Sequence, residues 1–196
     1  EAYSYVNSPY GTTKNQAIQG RGAKGDINFN TVDDFKMLIA PYVERYNSYE
    51  DKNEIKPSSP VFAGLRVKVD REEGIQVSIS NQPTKTVLGL EYPVSFRMGK
   101  TNTDANDLNA KGISTIINFN GFRTFGTRSA NFPSKSGIET FECCKRVDIY
   151  IRRSIMKASF ATVDKNITSG MINGVVDGIN AFLDDLKNPL KQVIID

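Results

Sequence analysis

Runs of apolar residues separated by turn signals predict several strands in the first two thirds of this chain. Residues 35–43 predict a strand that is buried at Met37–Ile39, with its end at Pro41 on a sheet edge or a bulge. Residues 74–80 alternate between apolar and polar side chains and predict a short strand or extended segment. Residues 47–56 are charged rather than apolar, so we expect a solvated loop there.

The strongest local signal is a hairpin centred on Asn120-Gly121. The flanking runs, 115–119 and 122–125, both have the composition of strands. A type I′ turn needs positive φ at both central residues, which Asn and Gly tolerate. The pattern therefore predicts two antiparallel strands joined at this pair.

Helical periodicity and capping signals predict helices between and after these strands. Their approximate ranges are 12–17, 60–74, 103–112, 147–158 and 168–188. Ser59 is the predicted N-cap of the second helix, and Pro189 ends the last one. Together the elements predict an α/β (α+β) sandwich, in which a mixed β-sheet with the hairpin at Asn120-Gly121 is covered by amphipathic helices.

Composition narrows the classes of partner. The chain has 196 residues, of which 39% are hydrophobic and 24% charged, which is normal for a globular domain. No run approaches the roughly 20 apolar residues of a membrane span, so we expect no membrane partner. A net charge of +3 is too balanced to indicate nucleic acid as the main partner.

The residue types exclude much of enzyme chemistry. The sequence contains no histidine, which rules out histidine-based triads, dyads and metal sites. Cys143 and Cys144 are adjacent, a spacing that disfavours a disulfide, and we expect reduced thiols packed as small hydrophobic side chains. We predict no catalytic residue, no cofactor and no metal, and a protein that is not an enzyme.

Two glycine motifs resemble phosphate-binding loops without having their context. Gly20–Gly25 matches G-x-G-x-x-G, but a polar stretch precedes it and no amphipathic helix follows. Gly99-Lys100-Thr101 resembles the end of a P-loop, but Val94 stands where the first glycine belongs. A nucleotide- or phosphate-binding enzyme is therefore the least favoured alternative.

The candidate contact residues are Arg152, Arg153 and Lys157, which lie largely on the outer side of the helix predicted at 147–158. Such charges usually serve only to solvate a surface. The functional interpretation is a contact with an acidic surface of another protein.

Several segments, in order, resemble the contractile tail sheath family of myoviruses and phage-tail-like bacteriocins. The most specific is 108–128, which is similar to the family pattern LN-x-x-GINTI-x-x-FNGFRLWGNRT. Residues 61–74 resemble the AGL-x-AR-x-D helix, with Val67 where alanine is usual. Residues 80–94 resemble the SN…GVVGLERPV stretch, with Tyr92 where arginine is usual.

The resemblance covers about residues 58–188 and is looser over 1–57. It implies that residues 1–196 form one conserved sheath domain, without the family's C-terminal arm. The implied function is that of a structural subunit of a phage contractile tail sheath, which polymerises around the tail tube. Contraction then drives the tube through the host envelope for genome ejection.

The implied partners are other sheath subunits in a helical stack of hexameric rings, the tail tube protein and the baseplate. The implied location is the virion, after assembly in the bacterial cytoplasm, and we expect this chain alone to be monomeric. The resemblance favours a neighbouring subunit or the tube as the partner of Arg152, Arg153 and Lys157. The sheath of a phage-derived bacteriocin or of another contractile injection system is the alternative function.

Overall fold

The computed structural model describes residues 3–21 and 33–187 as two β-sheets with five α-helices. The strands are β1 (Ser4–Asn7), β2 (Lys36–Ile39), β3 (Val43–Asn47), β4 (Lys52–Lys56), β5 (Gly89–Leu90), β6 (Ile113–Asn118) and β7 (Phe122–Phe125). The helices are α1 (Lys14–Arg21), α2 (Ser59–Glu72), α3 (Asp104–Ala110), α4 (Glu142–Ser159) and α5 (Ser169–Leu186). This arrangement confirms the predicted α/β fold with a mixed sheet.

The main sheet has the strand order β1-β2-β6-β7. Strands β1, β2 and β6 are parallel, and β7 returns antiparallel to β6. The hairpin between β6 and β7 is the predicted one: Asn120 has φ 52° and Gly121 has φ 95°. Positive φ at both residues is what the Asn-Gly pair predicts.

The two faces of the main sheet carry two separate apolar clusters. Successive strand residues point to opposite faces, so Leu38 joins a cluster with Leu108 of α3, whereas Met37 joins one with Phe62 of α2. Residues of β6 divide in the same way, with Ile117 on the first side and Ile116 on the second. Helices therefore cover both faces of the sheet.

The prediction of one strand over 35–43 and of a loop over 47–56 was wrong. Strand β2 ends at Ile39, and β3 begins at Val43 in a second sheet of order β4-β3-β5. Pro41 lies in the connection, since proline has no N–H for a sheet ladder. Strand β4 pairs with β3 through main-chain hydrogen bonds and needs no apolar side chains, and its charged residues are typical of a sheet edge.

Residues 74–80 lie outside both described sheets, and of their alternating apolar residues only Ile79 is fully buried. The start of α2 also differs slightly from the prediction, because Ser58 is the N-cap and Ser59 the first helical residue. The Asn7 side chain, at the end of β1, does the capping: its Oδ1 accepts from the backbone N–H groups of Ser58 and Ser59, at 2.9 and 3.0 Å.

Helices α4 and α5 form a hairpin that takes part in neither cluster. The start of α5 is as predicted, with the Thr168 hydroxyl accepting from the N–H of Met171 at 3.2 Å. Pro189, the predicted end signal, lies outside the described residues. Within these two helices, which are described throughout, Glu142 and Leu186 are the fully buried residues.

Candidate contact site on helix α4

The first turn of α4 is held to the rest of the molecule by a buried carboxylate. Glu142 is fully buried, and its Oε1 accepts a hydrogen bond from Tyr5 Oη at 2.9 Å. Its Oε2 lies 3.3 Å from Nη1 of Arg66, whose side chain is also buried. Burial raises the pKa of Glu142, and the positive charges of Arg66 and Arg146 oppose that rise.

Asp70 extends this network from α2 to the second turn of α4. Arg146 binds it in a fork, with Nη1 at 2.7 Å from Oδ1 and Nη2 on Oδ2. Arg66 Nε donates to the same carboxylate at 2.8 Å. Burial acts to raise the pKa of Asp70, but the hydrogen bond from Arg146 and the charge of Arg66 outweigh it, and the pKa lies below its usual range.

Sequence reasoning missed this network because its members are far apart in the chain. The predicted helix began near residue 147, which left Glu142 outside it. A carboxylate in a first helical turn is a recognisable start signal, and it was available at Glu142. Nothing local indicates that this residue pairs with Arg66, at a distance of 76 positions.

The predicted residues Arg152, Arg153 and Lys157 are all exposed, but they do not form one site. Arg152 Nε donates to Asp148 Oδ1 at 2.7 Å, the i,i+4 pair that their spacing indicates. Arg153 and Lys157 instead line a groove of about 380 Å³ that Arg152 does not line.

The groove runs between α4 and the segments that carry Tyr3 and Ile75. Its cationic lining residues are Arg146, Arg153 and Lys157, and no carboxylate is among the described residues that line it. Ile149 and the rings of Tyr3 and Tyr150 supply an apolar floor. Such a groove suits an acidic polypeptide segment that also carries apolar side chains.

A second surface lies on the other side of α4, in the cleft between α4 and α5. The cleft has a volume of about 510 Å³. Its apolar lining includes Ile155, Ala158, Met171, Val175, Ile179 and Phe182. In the last turn of α4 and the connection to α5, Met156, Phe160 and Ile167 are 72%, 75% and 79% exposed. Apolar exposure on this scale is typical of interaction surfaces.

The two cysteines and the two glycine motifs were the other candidates for chemistry. Both thiols are free, but only Cys143 is half-buried; Cys144 is exposed, so its predicted packing was wrong. The pKa of Cys143 is raised to about 11, mainly because the thiol is partly buried and to a lesser extent because Cys144 is adjacent. Gly99 has φ 75° in an exposed turn, which agrees with the polar-turn interpretation, whereas Gly22 and Gly25 lie outside the described residues.

No group of three or more cysteine, aspartate or glutamate residues is placed to hold a metal ion within residues 3–21 and 33–187. Over the same ranges, no helix has the length and apolar character that crossing a membrane requires.

Comparison with known proteins identifies relatives by sequence and by fold. The chain matches the tail sheath protein of Burkholderia phage BcepMu with 37% identity over 183 residues, which is 92% of the chain and 38% of that protein. It matches the major tail sheath protein of Serratia phage KSP20 with 37% identity over 150 residues, or 76% of the chain and 37% of that protein. The chain thus spans about two fifths of the length of these relatives.

Among solved structures, the PVC sheath complex of an extracellular contractile injection system, in its contracted state, has a similar fold. Its TM-score is 0.73 at 22% identity, with 94% of this chain and 48% of the other covered. No family model matches the chain. Because the sequence relatives are sheath proteins and the fold is that of a sheath, this chain belongs to the tail sheath protein family of contractile tails.

Proposed function

We propose that this chain is part of a structural, non-catalytic subunit of a phage contractile tail sheath. The subunit polymerises around the tail tube, and contraction of the polymer drives the tube through the host envelope. The observation that supports this proposal best is the α4–α5 hairpin, which exposes a basic groove on one side and apolar residues on the other. Exposed apolar residues grouped in this way are typical of a surface that binds another protein.

The proposed partner of the α4 groove is an acidic surface on a neighbouring sheath subunit. Arg153 and Lys157 provide the charge within the groove, and Arg152 extends the positive surface beside it. The tail tube protein and the baseplate are the other proposed partners. The proposed location is the virion, after assembly in the host cytoplasm.

We further propose that residues 1–196 form one conserved sheath domain, which is monomeric by itself. Sedimentation of the isolated chain tests its monomeric state.

The fold likeness to an injection-system sheath supports one alternative, in which the chain serves such a system, or a bacteriocin, instead of a phage. The sequence relatives from phages, at higher identity, favour the phage. Genes for a capsid in the neighbourhood of the gene would decide for the phage, and their absence would decide for the alternative.

The central experiment is electron microscopy of the full-length protein after overexpression. We expect striated tubes, and persistent monomers under assembly-supporting conditions would overturn the sheath proposal.

The contact site is tested in the same assay with the double variant Arg153→Glu/Lys157→Glu. We expect it to remain folded by circular dichroism and to lose tube formation, because like charges would then face the acidic partner. A matched control, Lys68→Glu/Arg71→Glu on the exposed side of α2, should still form tubes. Tubes of normal length from the α4 variant would refute the contact while leaving the sheath function intact.

A further inference from the structure

A second polar pocket, which the sheath proposal does not use, lies where four separate segments of the chain meet. It has a volume of about 330 Å³. Its lining residues with polar side chains are Ser78, Ser80, Asn109, Thr127, Arg128 and Cys143. No aspartate or glutamate is among its described lining residues. The pocket therefore offers hydrogen-bond donors and one positive charge.

Arg128 is held in place by two aromatic rings. Its guanidinium carbon lies 4.0 Å from the centroid of the Phe132 ring and 4.7 Å from that of Phe141. Contact with the rings orients the guanidinium plane and reduces the side-chain entropy that binding would otherwise cost. Its N–H groups remain for a ligand, because within the described part of the chain the guanidinium has no carboxylate or hydrogen-bond acceptor.

The two serines of the pocket are also poised to donate. Ser80 Oγ accepts from the N–H of Gly126 at 3.2 Å, and Ser78 Oγ accepts from the N–H of Ser80 at 3.1 Å. A hydroxyl that accepts in this way keeps its own hydrogen for another partner. The main chain thus fixes both oxygens and leaves both O–H groups for a ligand.

Gly126 gives the pocket its shape. It has φ 89°, a conformation that glycine adopts without strain. A Cβ at this position would lie 2.8 Å from Asn109 Oδ1, so a larger residue would displace the Asn109 side chain.

We propose that this pocket binds a carboxylate group of a polypeptide, with Arg128 as its forked partner and the Ser78 and Ser80 hydroxyls as further donors. A guanidinium presents parallel N–H groups that match the two oxygens of a carboxylate. The ligand is an acidic side chain or a chain terminus of another polypeptide. This site is separate from the α4 groove and does not depend on the sheath function.

The test is a nuclear magnetic resonance titration of the ¹⁵N-labelled chain with three N-acetylated peptides. Acetyl-Gly-Asp-Gly-amide carries a side-chain carboxylate, acetyl-Gly-Gly with a free terminus carries a terminal one, and acetyl-Gly-Asn-Gly-amide carries none. We expect saturable shifts of the Arg128 Nε–H and Gly126 N–H signals with at least one acidic peptide, and none with the asparagine peptide. The acidic peptide that binds more tightly identifies the source of the carboxylate.

Variants then assign the binding to the pocket. Arg128→Lys keeps the charge but loses the fork, and we expect binding to weaken at least about tenfold. Ser80→Ala leaves the aromatic contacts of Arg128 intact and should weaken binding about threefold to tenfold, which keeps the test valid if Arg128→Lys fails to fold. Arg97→Lys, at an exposed arginine outside the pocket, should bind as the parent does.

Three results would overturn the proposal. They are equal shifts with the asparagine peptide, no saturable response to either acidic peptide, and unchanged binding by a folded Arg128→Lys or Ser80→Ala variant.

Discussion

The main sheet and the α4–α5 hairpin are both rich in apolar residues, but they bury them to very different extents. Phe62 of α2 is fully buried against the sheet, whereas Phe160, which follows α4, is 75% exposed. Helix α2 packs against an apolar face of the sheet, whereas no residue of the hairpin belongs to either described apolar cluster. The difference indicates that the sheet holds the buried core of the molecule, and it supports the proposal that the hairpin is a contact surface.

The helices of the two regions are also attached to the rest of the molecule by different kinds of contact. Helix α2 packs on the sheet through apolar contacts, including Phe62, Leu65 and Val69. Helix α4 is attached at its first two turns by the network of Glu142 and Arg146. Buried ion pairs have strict geometry but recover little free energy after desolvation. We infer that the network sets the orientation of α4 more than it adds to stability.

The largest expected effect compares one phenylalanine from each region. Phe62→Ala should lower the free energy of unfolding by about 3–5 kcal/mol, because it leaves a cavity in the core. Phe160→Ala should change it by less than about 0.5 kcal/mol, because its side chain is mostly in solvent. Urea denaturation of both variants measures the difference, and similar losses would break the comparison.

Removing the carboxylate of the network tests how α4 is attached. Glu142→Ala should cost about 3 kcal/mol, because it removes one side of a buried ion pair and the acceptor of the Tyr5 hydroxyl. Arg66 then keeps Asp70 as its carboxylate partner. Glu142→Gln retains an oxygen for Tyr5 and should cost less. Urea midpoints give both values, and a loss below about 1 kcal/mol for Glu142→Ala would show that the pair does not hold the helix.

An acid titration examines a surface ion pair of the sheet region. Nζ of Lys14 in α1 lies 2.6 Å from Oδ1 of Asp104 in α3. The hydrogen bond with Lys14 is the main cause that lowers the pKa of Asp104 to about 2, and the hydrogen bond with Ser95 is the second. A lowered pKa stabilises the fold above the ordinary pKa of an aspartate, and this contribution is lost as the pH falls from about 4 to about 2. Because the carboxylate is partly exposed, we expect only about 1 kcal/mol.

The measurement is the urea midpoint of the parent and of Asp104→Asn as a function of pH. The variant should lose about 1 kcal/mol at pH 6, and the loss should shrink below pH 4. Asp177→Asn, at an exposed aspartate of α5, is the control from the hairpin and should show neither effect. A loss for Asp104→Asn that stays constant down to pH 2 would contradict the assignment.

The smallest effect concerns glycines in the two regions. Gly174 lies in α5, where an added Cβ would meet no atom within 4 Å. Gly174→Ala should therefore stabilise the chain by about 0.5–1 kcal/mol through helix propensity. Gly121→Ala should instead destabilise it by about 1 kcal/mol, because φ at this position is 95°. Thermal unfolding of both variants checks the opposite signs, and a destabilising Gly174→Ala would contradict the open space around this position.

Local signals were sufficient for much of the fold and for part of the site. The hairpin at Asn120-Gly121, the start of α5 near Thr168 and the pair of Asp148 with Arg152 all depend on residues within a few positions of each other. Strand β4 was missed because its pairing with β3 through the main chain leaves no apolar pattern. The resemblance that identified the family likewise rests on sequence order and spacing.

The sequence by itself determined the fold class, the family and the exposure of Arg152, Arg153 and Lys157, because turn chemistry, periodicity and segment order are local properties. Only the tertiary structure decided that Arg153 and Lys157 share a groove with Arg146 while Arg152 does not. Only the tertiary structure shows that Glu142 contacts Tyr5 and Arg66. The same holds for the contacts of Arg128 with the rings of Phe132 and Phe141. Most of these contacts join residues from different elements, and their partners are set by how the helices pack, which no local pattern encodes.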